Sequence, residues 1–168
     1  MSFPVKIDGI GTRLKSDGTF NEPNVGGHRS KFVRLFAAEA IAKGDAVAID
    51  VGSDANGLGN HIKIADGNVN AISFGIGVAA EATPTGHDFS TMDDPAILVQ
   101  VAGFCDFAKV IESTCEPGQG LSVSDTPGIM DIRAGATDSV LALQLKDATP
   151  SSDSAATSTV YLCNPLNL

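Results

Sequence analysis

Turn-forming residues interrupt this chain about every ten residues, and this spacing limits what it can fold into. The 168 residues include 18 glycines and 8 prolines, which separate short runs of apolar and β-branched side chains. An amphipathic helix needs a longer uninterrupted run, with apolar positions three and four residues apart. The pattern therefore predicts an all-β fold of about nine short strands, closed as a small β-barrel or a jelly-roll-like sandwich.

The predicted strands follow one another with a turn or loop between them. The first is ambiguous, because the alanines of KFVRLFAAEAIAK favour a helix while its Phe, Val and Leu favour a strand, and we predict a strand over 32–37. The stretch 148–158, rich in Ser, Thr and Ala, is predicted to be an exposed loop. Further strands are predicted in the segments AVAIDVG, HIKIA, AISFGIGVAAEA, PAILVQVAGFCDFAKV, LSVS, IMDIRA, SVLALQLKDA and TVYLCN.

Charge divides the chain into two parts. Residues 1–36 carry 6 basic and 3 acidic residues, whereas the remainder carries 5 basic and 17 acidic residues. The first 30 residues also lack a sustained apolar period, so we predict an extended basic arm over 1–30 and a β domain over 31–168. A basic arm suits an acidic partner, although a solvated terminus without specific contacts is the alternative. The candidate partner-binding residues are Lys6, Arg13, Lys15, Arg29, Lys31 and Arg34.

Composition disfavours several partners and compartments. A net charge of −9 disfavours nucleic acid as a partner, since phosphate contacts need clustered Lys and Arg. The most apolar stretch, 71–80, is about half the ~20 residues that span a bilayer, so we expect neither a membrane anchor nor a targeting signal. Three cysteines without C-x-x-C spacing predict free thiols formed in a reducing cytoplasm, with a Cys105–Cys115 bridge left open.

No motif in the sequence indicates catalysis or a cofactor. The glycines of 75–80 fit G-x-G-x-x-A, but they continue a strand-like run instead of forming a turn before a helix. The histidines, His28, His61 and His87, lack metal-ligand spacing, and the loop 54–57 lacks the closing Glu of a calcium site. Asp93 and Asp94 indicate a solvated turn. We therefore expect a protein that is not an enzyme and that holds no cofactor or metal.

The aromatic residues are predicted to lie in the core. The chain has no Trp and one Tyr, Tyr161. Carbohydrate-binding modules usually stack sugars on exposed aromatic rings, so buried phenylalanines would disfavour that class without excluding it. The phenylalanines with a predicted core role are Phe32, Phe36, Phe74, Phe104 and Phe107.

Four motifs carry a resemblance to a known family. In chain order they are Ala42-Lys43-Gly44-Asp45-Ala46-Val47, Gly75-Ile76-Gly77-Val78-Ala79, Val99-Gln100-Val101-Ala102-Gly103 and Glu116-Pro117-Gly118-Gln119-Gly120. Over residues 38–147 the chain resembles the small β-barrel proteins encoded near phage major capsid genes, which act as capsid cement or decoration proteins. The resemblance implies a homotrimer that binds the major capsid protein on the outer surface of the virion. The alternative function is a carbohydrate- or receptor-binding β module on the virion.

Overall fold

The computed structural model describes residues 30–51, 61–69, 74–89, 94–111, 115–133, 139–146 and 155–163. Within these ranges the chain is all-β and contains nine strands. No apolar helix of membrane-spanning length occurs in the described ranges. The strands are β1 (Lys31–Ala37), β2 (Ala46–Ile49), β3 (His61–Ile64), β4 (Gly75–Ala79), β5 (Ala96–Ile111), β6 (Gly120–Val123), β7 (Met130–Ile132), β8 (Ala142–Gln144) and β9 (Ala155–Leu162).

The observed strands confirm the all-β prediction and correct two details. The ambiguous first segment is a strand, and each later predicted segment overlaps one observed strand. β5 is not short, because it runs for 16 residues. β9 begins at Ala155, so the predicted loop over 148–158 is wrong for its last four residues. Ser158 is buried there, and its hydroxyl accepts a 2.8 Å hydrogen bond from the side-chain amide of Gln144. The small Ser, Thr and Ala side chains of this segment allow it to pack as a strand.

Hydrogen bonds connect the strands into one mixed sheet that returns to its own central strand. The order is β1-β3-β2-β4-β5-β7-β6-β8-β9, and both β1 and β9 also pair with β5. The first circuit therefore consists of β1, β3, β2, β4 and residues 96–102 of β5, and the second of residues 103–111 of β5 with β7, β6, β8 and β9. Each of the described strands has at least two hydrogen-bonded neighbours, although β1 pairs with β3 only at Phe36 and Ala37.

β5 serves both circuits because its backbone changes course near its middle. Gly103 adopts a φ of 90°, which glycine reaches without the steric cost that a Cβ would bring. The ladder to β9 starts at Gly103 and shifts register between Cys105 and Ala108. This bend and bulge let one strand pair with β1 along its first half and with β9 along its second half.

The buried apolar side chains form two cores. The first core includes Ile41, Val47, Ile62, Ile76, Ile97, Val99 and Val101. The second core includes Cys105, Val110, Cys115, Leu121, Met130, Leu141, Val160 and Leu162, together with Ala46, Ala48, Ala65 and Val78 from the first half of the chain. Phe89 is partly buried and packs against the first core, and Phe107 is partly buried and packs against the second. The interior of a five-stranded circuit is narrow, and such residues fill it to the density typical of protein interiors.

Four phenylalanines predicted to be buried are instead exposed, and this is the main correction to the sequence analysis. Their exposed fractions are 43% for Phe32, 41% for Phe36, 41% for Phe74 and 51% for Phe104. Of the five phenylalanines with a predicted core role, only Phe107 packs against a core. Phe32, Phe36 and Phe104 lie on strands, where alternate side chains point to opposite sides and the smaller ones take the inner side, and Phe74 immediately precedes β4. The rings therefore lie on the protein surface.

Candidate interaction faces

The first exposed apolar surface lies on the outer side of β1. Phe32, Arg34 and Phe36 occupy alternate positions and are all exposed, whereas Ala37 points to the first core. Side chains two residues apart on a strand share one side of the sheet. We call these three residues the β1 face.

Arg34 is fixed to the body of the protein by its neighbours. Its guanidinium lies 3.4 Å from the Glu81 carboxylate and donates a 3.1 Å hydrogen bond to the Ala96 carbonyl. Glu81 in turn accepts a 3.1 Å hydrogen bond from the Leu98 amide. Both side chains are largely exposed, so the pair contributes less than about 1 kcal/mol to stability. Its main effect is to hold the Arg34 side chain flat on the β1 face.

The structure separates the six basic residues that were predicted to bind a partner. Lys31 and Arg34 lie on β1, within the predicted β domain and not on the arm. Lys6, Arg13, Lys15 and Arg29 lie outside the described residues. The described chain begins at Ser30, whose hydroxyl donates a 3.0 Å hydrogen bond to the Phe104 carbonyl. Ser30 therefore lies next to Phe104.

The second exposed apolar surface lies across β5, β9 and β8. Phe104 is directly opposite Tyr161, and Tyr161 is directly opposite Leu143. Leu145 follows two residues later, and its amide donates a hydrogen bond to the Thr159 carbonyl. We call Phe104, Tyr161, Leu143, Leu145 and Thr159 the β8–β9 face.

The β8–β9 face is largely apolar and contains no Asp, Glu, Lys, Arg or His. Phe104, Leu143 and Leu145 are 51%, 38% and 43% exposed. The adjacent cross-strand row, which includes Cys105 and Val160, is buried in the second core. Charge is depleted and aromatic side chains are enriched at the centres of protein interfaces. This composition is typical of a surface that binds another protein.

A buried ion pair joins the two circuits at the turn before β2. The Asp45 carboxylate accepts a 2.8 Å hydrogen bond from the Ala42 amide and contacts the Lys109 ammonium on β5. The Asp45 carbonyl accepts from the Ala79 amide, and the Gly44 carbonyl accepts from the Lys109 amide. The first resemblance motif thus positions β4 and β5. Its role in this chain is structural.

The candidate catalytic and ligand-binding groups do not assemble into a recognisable active site within the described ranges. Gly75–Ala79 is strand β4, which confirms that G-x-G-x-x-A is not a phosphate-binding turn here. No group of three or more His, Cys, Asp or Glu side chains suited to a metal occurs among the residues that the structure describes. The loop 54–57 and His28 lie outside those residues. Asp94 lies 3.1 Å from the His61 ring, a pairing that sequence spacing did not predict.

The cysteines are free thiols, as predicted. Cys105 and Cys115 are buried, whereas Cys163 is only half-buried. Burial raises the pKa of the Cys105 thiol from 9.0 to about 11, and burial also raises the pKa of Cys163. These thiols are therefore protonated at neutral pH and react slowly with oxidants and alkylating agents.

The pKa of Cys105 predicts a loss of stability in alkali. An unfolded thiol ionises near pH 9.0 while the folded Cys105 thiol stays protonated up to about pH 11. The unfolded state then binds fewer protons, so the free energy of unfolding should fall over this window by up to about 2 kcal/mol. Urea titrations of the wild type and of Cys105→Ala at a series of pH values measure the effect. If the free energy of unfolding of Cys105→Ala fell as steeply in alkali as that of the wild type, this prediction would be contradicted.

The β1 face was visible in part in the sequence. With a strand over 32–37, Val33, Leu35 and Ala37 share one side while Arg34 shares the other with Phe32 and Phe36. The charge on Arg34 marks its side as the outer one. No comparable signal marked the β8–β9 face, because its residues come from strands that are distant in sequence.

No protein-family model matches this sequence, and no curated protein is significantly similar to it.

Proposed function

We propose that this protein is a structural subunit of a bacteriophage particle, which binds the outer surface of the capsid and stabilises the shell. The observation that carries the proposal is the pair of exposed aromatic faces on an all-β body whose described strands each have at least two hydrogen-bonded neighbours. A sheet that returns to its own central strand holds its side chains in place, and apolar faces on such a body provide association surfaces at small entropic cost. The resemblance in four motifs supplies the phage context.

The proposed partners are the major capsid protein and further copies of this chain, as a homotrimer. The arm would bind acidic groups on neighbouring shell subunits through Lys6, Arg13, Lys15 and Arg29, while the body adds Lys31 and Arg34. The subunit would be made in the host cytoplasm and would carry out no catalysis. Its contribution is mechanical, since each added contact must be broken before the shell can rupture.

A direct binding experiment tests this function. Purified protein is mixed with shells that lack it, the shells are sedimented, and bound protein is measured against total concentration. Saturable binding to the outer surface and a raised rupture temperature of the decorated shells are expected. Shells that neither bind the protein nor gain stability would contradict the proposal.

Removal of the arm should weaken attachment without unfolding the body. Deletion of residues 1–30 leaves β1 intact, since this strand begins at Lys31. We expect unchanged far-ultraviolet circular dichroism and at least about tenfold weaker shell binding, because several charge contacts are lost. A full-length variant with Lys6, Arg13, Lys15 and Arg29 replaced by Gln separates charge from chain length. Unchanged shell occupancy after the deletion would refute the role of the arm.

Carbohydrate or receptor binding is the second candidate, and the exposed phenylalanines favour it. The sequence disfavoured this class because these rings were expected in the core, whereas Phe32, Phe36, Phe74 and Phe104 are available at the surface. A glycan array with the wild type and with Phe104→Ala discriminates the two candidates. Saturable binding that Phe104→Ala abolishes would favour the second candidate over shell attachment.

A further inference from the structure

We propose that this chain contains an internal duplication, in which the two circuits are two copies of one five-stranded unit. The strand order is β1-β3-β2-β4-β5 in the first circuit and β5-β7-β6-β8-β9 in the second. In both circuits the first strand of the chain pairs in parallel with the third, and all other pairings are antiparallel. β5 therefore ends the first copy and begins the second. The inference does not depend on the proposed binding to a capsid.

The register of the strand pairs is the same in both circuits. Facing residues at four places along the first circuit have counterparts in the second. The matched pairs are Val47–Ile64 with Leu121–Ile132, Val47–Gly77 with Leu121–Ala142, Val78–Gln100 with Leu143–Tyr161, and Val33–Val99 with Cys105–Val160. A slip of one residue in any of these ladders would turn side chains to the other side of the sheet. The agreement therefore extends from the topology to single residues.

The turn between the first two strands of each circuit repeats in its hydrogen bonds. In the first circuit the Asp45 amide donates a 3.2 Å bond to the Ala42 carbonyl, and the Asp45 carboxylate accepts a 2.8 Å bond from the Ala42 amide. In the second circuit the Gln119 amide donates a 3.2 Å bond to the Glu116 carbonyl, and the Gln119 side-chain oxygen accepts a 2.6 Å bond from the Glu116 amide. A carboxylate and a side-chain amide therefore serve as the same acceptor.

The glycine in each of these turns supports the same match. Gly44 and Gly118 have φ values of 93° and 88°. Their amides donate 2.8 Å hydrogen bonds to the carbonyls of Ala79 and Gln144 respectively. Each acceptor is the last residue of the fourth strand in its circuit. Residues that differ in type therefore occupy equivalent places.

Unequal connections hide the duplication in the sequence. The spacing between matched residues falls along the chain, from 74 between Gly44 and Gly118 to 61 between Val99 and Val160. It falls because several connections in the second circuit are shorter than their counterparts in the first. A fixed period, which is the usual sequence sign of repeated units, is therefore absent.

The duplication assigns a counterpart to the β8–β9 face. Its row of Phe104, Tyr161 and Leu143 matches the first-circuit row of Phe32, Gln100 and Val78. Val78 is buried in the second core, and the Gln100 side-chain amide donates a 2.8 Å hydrogen bond to the Phe104 carbonyl. Tandem units contact their neighbours through such repeated surfaces. The β8–β9 face is therefore the second circuit's version of a surface that already holds a β unit within this chain.

Transfer of two first-circuit residues to the second circuit tests the match. The in-register variant carries Gln119→Asp and Gly120→Ala, which places the residue types of Asp45 and Ala46 at their matched positions. The out-of-register variant carries Gly118→Asp and Gln119→Ala, which places the same residue types one position earlier. Both variants are full-length chains, and urea unfolding followed by circular dichroism compares their midpoints with that of the wild type.

The in-register variant should unfold at a urea midpoint within about 0.3 M of the wild type or above it. Its new carboxylate can accept from the Glu116 amide, and a Cβ at Gly120 meets only the Val140 side chain, at an ordinary 3.4 Å. The out-of-register variant should lose at least about 0.5 M, because it puts a side chain at the positive φ of Gly118 and removes the acceptor at Gln119. Equal midpoints in the two variants, whether lowered or unchanged, would overturn the match.

Amide hydrogen exchange, measured by nuclear magnetic resonance on the unmodified chain, gives a second test. The Gly44 and Gly118 amides should both exchange at least about a hundredfold more slowly than in an unstructured peptide, since each is bonded to its fourth strand. The Ala79 and Gln144 amides donate back to the same turns and should behave alike. Protection of the first-circuit member alone in these pairs would contradict the duplication.

Discussion

Gly44→Ala is expected to lower the free energy of unfolding by about 3 to 4 kcal/mol. Gly44 has a φ of 93°, where an L-residue costs about 1 to 2 kcal/mol. A Cβ at this position would also lie 2.5 Å from the Phe107 carbonyl oxygen, so β5 would have to move. Such overpacking adds about 1 to 3 kcal/mol. Urea unfolding followed by circular dichroism measures the change.

Gly118→Ala is the matched control for this experiment. Gly118 has a φ of 88°, close to that of Gly44, but a Cβ there meets no atom within 4 Å. Its substitution should cost only the conformational term of about 1 to 2 kcal/mol. Equal losses in the two variants would show that close packing of the Gly44 turn against β5 does not stabilise the fold.

Asp45→Ala is expected to destabilise the protein by about 3 kcal/mol. The substitution leaves the Ala42 amide without its acceptor and the Lys109 ammonium without its counter-charge. Removal of one partner of a buried ion pair costs about 3 to 5 kcal/mol. The lower end applies because the Lys109 side chain is 32% exposed and can reach water. Urea unfolding of the variant gives the value.

Arg34→Ala provides the control, since it removes an ion pair of the same kind at the surface. The Arg34 and Glu81 side chains are 60% and 44% exposed, so this loss should stay below about 1 kcal/mol. A cost for Asp45→Ala no greater than that for Arg34→Ala would contradict a structural role for the buried pair.

The sequence predicted secondary structure well because turn chemistry is local. Gly44 and Gly118 lie in turns that the glycine pattern indicated, and the alternation of Ile62 and Ile64 identified β3 directly. Their pairing order was not predictable, since it depends on contacts between strands far apart in the chain. Without that order, Phe104, Tyr161 and Leu143 could not be placed side by side.

The burial of the phenylalanines was mispredicted for a physical reason. Hydrophobicity favours burial of a ring, but the cores of the two circuits are filled by residues such as Val99, Ile97 and Val160. The space between strands, which only the closed circuit defines, decides which apolar residues fit inside. Phe36 therefore lies outside, where its ring is 5.7 Å from that of His61.

Quantitative mass spectrometry of particles purified from lysates that contain this protein tests the central claim most directly. The measurement gives the molar ratio of this protein to the major shell protein. A lattice-wide decoration subunit predicts a ratio near unity, whereas a ratio of a few per cent would indicate a vertex, tail or receptor-binding position. Absence of the protein from the particles would contradict the account.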